Sequence, residues 1–80
     1  MFNMNVSETI LTLSAARGKD KTICPSEVAR QIWQEDWRKH MDETRKAAFA
    51  LRDKGKVVIT QRGNEILGEE VRGPIRIRIV

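Results

Sequence analysis

Apolar positions recur at helical spacing up to Gly55 and at strand spacing after it. Val6, Ile10 and Leu13 form the stripe of an amphipathic helix, and Asn5-Val6-Ser7-Glu8 supplies an N-cap acceptor with a Glu three residues later. Gly18 stops it, so the first helix is predicted over about 5–17. The second start is clearer. In Cys24-Pro25-Ser26-Glu27, Pro25 suits the first helical position and Glu27 can reach back to the Cys24 amide. Val28, Ala29, Ile32 and Trp33 then make an apolar face, which predicts a helix over about 25–33. After a polar break at Gln34-Glu35, Asp36 is placed to cap a third helix over about 36–54, with Gly55 as the residue after its end. Its inner face would carry Thr44, Ala47, Ala48 and Leu51, and its outer face Arg45, Phe49 and Arg52.

Beyond Gly55 the residues are β-branched in Lys56-Val57-Val58-Ile59-Thr60-Gln61 and alternate strictly in Ile75-Arg76-Ile77-Arg78-Ile79. Two paired strands are predicted, at about 56–61 and 74–79. Their connection contains the turn formers Arg62-Gly63-Asn64 and Val71-Arg72-Gly73-Pro74, with room for a small turn at Leu67-Gly68. It is too long for a tight hairpin and reads as a wing. Thr22-Ile23 leaves space for one bridging strand. Three helices followed by a two-stranded antiparallel β-hairpin make an α+β fold with the element order of a winged helix-turn-helix, here one domain over residues 1–80.

Composition narrows the partners more than the fold. With 80 residues, 40% of them hydrophobic and 32% charged, the chain supports one small core. The net charge of +4 favours an acidic partner, and half of that excess falls in residues 56–80. Cys24 is the single cysteine, which argues for a reducing compartment, and the first residues lack the basic and apolar blocks of an export signal. A cytoplasmic protein with no membrane association is the expectation.

The stretches Thr22-Ile23-Cys24-Pro25-Ser26-Glu27-Val28-Ala29-Arg30, Asp36-Trp37-Arg38, Ile59-Thr60-Gln61-Arg62-Gly63 and Gly73-Pro74-Ile75-Arg76-Ile77-Arg78 resemble a small bacterial family of winged-helix domains of unknown function, over about residues 10–79. The resemblance implies the winged-helix fold, and the family carries no established activity to transfer. A looser likeness, through Leu51-x-x-x-Gly55 followed by a strand, is to winged-helix regulators such as the multiple-antibiotic-resistance repressors.

The candidate chemistry is binding to double-stranded DNA, with the third helix in the major groove and the hairpin on the backbone. Arg45, Lys46, Phe49 and Arg52 are the helix candidates, and Arg62, Arg72, Arg76 and Arg78 those of the wing. Asp42, Glu43 and Asp53 dilute the helix to +1, so the hairpin is the better supplied element. The alternative is a protein-interaction module, or a homodimer, that uses an exposed Phe49 or the wing and leaves Arg76 and Arg78 as a solvated strand face. Cys24 reads as a packed cap residue and His40 as a surface residue. One Cys and one His fall short of a metal's ligand count, and no nucleophile sits beside an oxyanion loop, so no enzyme, metal or cofactor is expected. Trp33 and Trp37, four apart, are expected to pack in the core rather than stack on bases.

Overall fold

A computed structural model describes residues 5–68 and 72–80. Helix α1 spans Val6–Arg17, α2 Pro25–Trp33 and α3 Met41–Asp53, with a 3-10 helix at Gln34–His40 between the last two. Strands β1 (Val57–Gln61), β2 (Asn64–Glu65) and β3 (Arg76–Ile79) follow. The architecture is α+β, with a three-stranded antiparallel sheet of order β2-β1-β3 in place of the expected two-stranded hairpin.

The helix starts follow their local signals. The Asn5 side chain accepts the Glu8 amide hydrogen at 2.7 Å, and the Cys24 amide donates to Glu27 Oε2 at 2.7 Å. Arg17, in the last turn of α1, donates to Thr22 O at 2.9 Å and to Glu27 Oε1 at 2.5 Å. One carboxylate therefore caps α2 and ties it to α1. At the end of α3 the Gly55 amide donates to Arg52 O and the Lys56 amide to Leu51 O, a Schellman pair made possible by φ +75° at Gly55.

The third helix begins later than the sequence suggests. Gln34 takes φ +53°, ψ −110°, which ends α2 and turns the chain into the 3-10 segment, so Asp36 caps nothing. Buried Thr44 then anchors α3 by donating its hydroxyl to His40 O at 2.8 Å.

The wing also departs from expectation. Arg62 and Gly63 have φ of +54° and +84°, the two-residue turn with both centres left-handed, and it pairs Thr60 with Glu65 and Gln61 with Asn64. A tight hairpin thus sits inside the connection judged too long for one. Its signal is faint because β2 is only two polar residues and because an arginine fills the first turn position. Val71, in the second predicted turn, lies outside the described residues.

β3 pairs with β1 from Val57–Ile79 to Thr60–Arg76. On its other side Ile77 exchanges both backbone hydrogen bonds with Ile23, each 2.8 Å, the bridge anticipated before Cys24. Alternation sends Val57, Ile59, Ile75 and Ile77 inward, where they meet Ile10 of α1, Ile23, Val28 of α2, and Ala48, Phe49 and Leu51 of α3. Phe49 was expected on the outer face and is buried in this core, a correction that follows from α3 packing between the sheet and the other helices. No helix among the described residues is long and apolar enough to cross a membrane.

Candidate nucleic-acid interface

The eight proposed contact residues divide into two groups with different surroundings. On α3, Arg52 donates through Nη1 to Ile66 O at 3.3 Å and to Gly68 O at 2.8 Å. Its Nε and Nη2 meet Asp53 Oδ1, its guanidinium lies 4.9 Å from the Phe49 ring centroid, and its side chain is only 9% exposed. Arg45 donates to Gly73 O at 3.0 Å. These two arginines hold the wing connection against α3 from both ends. Phe49 forms the floor of a shallow depression of about 310 Å³ lined also by Lys46, Ala50 and Asp53. Lys46 is the one exposed member of the helix group, and Asp42, Glu43 and Asp53 share the exposed surface with it.

On the wing, Gln61, Arg62, Arg72, Gly73, Pro74 and Arg76 line a second depression of about 540 Å³. Arg62 is displayed by the tight turn, and Arg72 by a segment whose carbonyls are held: Gln61 Nε2 donates to Arg72 O at 2.6 Å and to Pro74 O at 3.2 Å. Both arginine side chains are exposed, and neither has a partner among the described residues. Arg76 folds back on the α1–α2 connection, donating to Thr22 Oγ1 at 2.8 Å, Thr22 O at 3.2 Å and Cys24 Sγ at 3.2 Å. Arg78 shares its strand face and reaches Lys19 O at 3.4 Å. Alternation places Arg76 and Arg78 opposite the isoleucines as expected, but both ends are tied to the loop before α2.

The electrostatics of that loop centre on Glu27. Its partial burial works to raise the carboxyl pKa, but the Cys24 amide bond, the Arg17 contact and the nearby Arg76 charge outweigh it and hold the pKa below the ordinary 4.5. Arg76 thus belongs to a small charge network and still presents the edge of the depression.

The family model described as protein of unknown function (DUF3253) matches residues 3–80. The chain belongs to the DUF3253 family. Curated proteins give no match to it. This agrees with the resemblance to a family without established activity.

The remaining singular residues of this DUF3253 chain are accounted for locally. Cys24 is half-buried as the N-cap of α2, with its sulfur facing Arg76. His40 stacks on Trp33 with ring centroids 3.9 Å apart, and its Nδ1 lies 2.5 Å from Glu43 Oε1. Trp33 and Trp37 are half-buried and stand outside the main core cluster, contrary to expectation. Trp37 carries the guanidinium carbons of Arg30 and Arg38 at 4.4 and 4.6 Å from its ring centroid. For Trp37 the positive φ of Gln34 accounts for this, since the 3-10 segment that carries it departs from the line of α2. Among the described residues no three His, Cys, Asp or Glu side chains gather as a metal site would require.

Gln61 was missed as a site residue. Its parity was the available signal: it follows Val57 and Ile59 on the inward side of β1, and a polar side chain there needs partners.

Proposed function

We propose that this DUF3253 protein is a non-catalytic, winged-helix nucleic-acid-binding module that grips the phosphate backbone of duplex DNA through its wing. The observation that carries the reading is the depression where Arg62, Arg72 and Arg76 converge, with the first two unpartnered among the described residues. The two unpartnered guanidinium groups at the rim of that hollow match phosphate oxygens in charge and in donor geometry, while Arg76 gives its donors to Thr22 and Cys24 and adds its charge to the edge. The order α1, Ile23 bridge, α2, α3, β1, wing, β3 supports the winged-helix assignment, because β3 lies between β1 and the bridge. Helix α3 takes a lesser share than the sequence suggested. Arg45 and Arg52 are spent on backbone carbonyls and Phe49 on the core, leaving Lys46 as the helix's basic contact.

Fluorescence anisotropy with a mixed-sequence duplex tests the reading. With about three phosphate contacts, from Arg62, Arg72 and Lys46, affinity should fall roughly 40-fold between about 50 and 200 mM salt. The Arg62→Ala, Arg72→Ala double variant should bind more weakly and lower the salt slope by about two. Absence of binding at low salt by folded protein would refute the proposal.

One observation favours a second reading, a protein-interaction module. The depression over Phe49 on α3 offers an apolar floor flanked by Lys46 and Asp53. That reading expects association that is insensitive to salt and lost on Ala50→Arg, with the wing arginines dispensable.

A further inference from the structure

Residues 72–74 are solvent-exposed, and exposed loop carbonyls ordinarily leave their hydrogen bonding to water. Here three successive carbonyls accept side-chain donors from two other elements. Gln61 at the end of β1 takes Arg72 O and Pro74 O, and Arg45 of α3 takes Gly73 O between them. The backbone is restricted further by Pro74, whose ring fixes φ, and by Gly73 at φ +87°, a conformation other residues adopt at a cost. A Cβ at Gly73 would stand 3.4 Å from Gln61 Nε2, so the amide fits closely under the glycine. The carbonyl side of the Arg72 backbone is therefore held while the residue itself is exposed.

We infer that Gln61 is a positioning residue of the wing: with Arg45 it sets the backbone of residues 72–74 so that Arg72 is presented to a phosphate of duplex DNA before any ligand arrives. The inference rests on the proposed nucleic-acid reading and adds to it an uncharged residue that governs a charged contact. An uncharged residue that touches no phosphate has no direct share in counterion release. A change in salt dependence on its removal must come through an arginine.

The test uses the full chain, with Gln61→Met to remove both donors without changing charge, Arg72→Ala, and the two combined. Anisotropy with the same duplex across a salt series should show that Gln61→Met lowers the slope by about one, as Arg72→Ala does. The double variant should bind no more weakly than Arg72→Ala alone, because the amide acts only through that arginine. An unchanged slope in Gln61→Met, or additive losses in the double variant, would overturn the inference. Thermal melts of each variant separate loss of folding from loss of positioning.

A second readout needs no DNA. Trypsin cleaves after arginine, and the bonds following Arg62 and Arg72 both lie in exposed segments outside the helices and strands. Freeing the Arg72 carbonyl should raise its initial cleavage rate relative to that at Arg62 by about fivefold or more in Gln61→Met, as local opening becomes easier. An unchanged ratio would overturn the positioning role even if DNA binds. Wild-type protein that binds no duplex, with the ratio still raised, would defeat the nucleic-acid reading and leave the fixed loop standing.

Discussion

Helix α3 and the wing carry the same residue type to opposite ends. Arg45 and Arg52 reach from α3 to the wing connection and give donors to the Gly73, Ile66 and Gly68 carbonyls, whereas Arg62 and Arg72 are exposed without a partner among the described residues. Charge on a helix surface is thus no measure of what the helix can bind. An arginine buried against backbone has become part of the fold, and the one displayed on that backbone is available to a partner.

The largest expected effect tests the helix side. Phe49→Ala should destabilise the protein by about 3–5 kcal/mol, because the ring fills the core between α3 and the sheet. Urea unfolding measures it, and a loss below about 1 kcal/mol would return Phe49 to the surface. The next pair sharpens the contrast between arginines. Arg52→Ala should cost about 1.5–3 kcal/mol, as two carbonyls lose a charged donor, while Arg62→Ala should stay within about 0.5 kcal/mol of wild type. Equal losses would erase the distinction between clamping and displayed residues. The smallest effect concerns Glu27 in the first turn of α2. The Glu27 pKa is lowered in the folded protein, so the unfolded chain takes up the proton first as pH falls. Its stabilisation is present above the ordinary value of 4.5 and is lost as pH drops through the folded one. Melting temperature measured from neutral pH downward should therefore show a shallower acid decline in Glu27→Gln than in wild type.

What the sequence made legible was local. The Asn5 cap, the Cys24-Pro25-Ser26-Glu27 start and the Gly55 stop each depend on residues within three to five positions, and each forms as read. The alternation in β3 and the bridge before Cys24 were likewise visible. Errors arose where a distant contact overrode a local pattern. Phe49 is buried because the sheet covers that flank of α3, and no spacing within the helix records the sheet's position. Trp37 stands outside the core because Gln34 adopts a left-handed conformation that its sequence does not announce. The candidate site was half legible. Its arginines were named from charge, but which of them are tied down depends on carbonyls 14 to 59 residues away.

The Ile23–Ile77 bridge gives the chain a long wait. Fifty-odd residues separate the partners, about the span between Arg76 and Thr22, which hydrogen-bond across 54 positions. Helices can flicker into shape as soon as their own residues are present, but the sheet has no middle until β3 slides between β1 and Ile23. Until then Ile10, Val28 and Ile59 lack the isoleucines that cover them. Assembly should consequently be a single late closure, with the last strand acting as the zip for everything made before it.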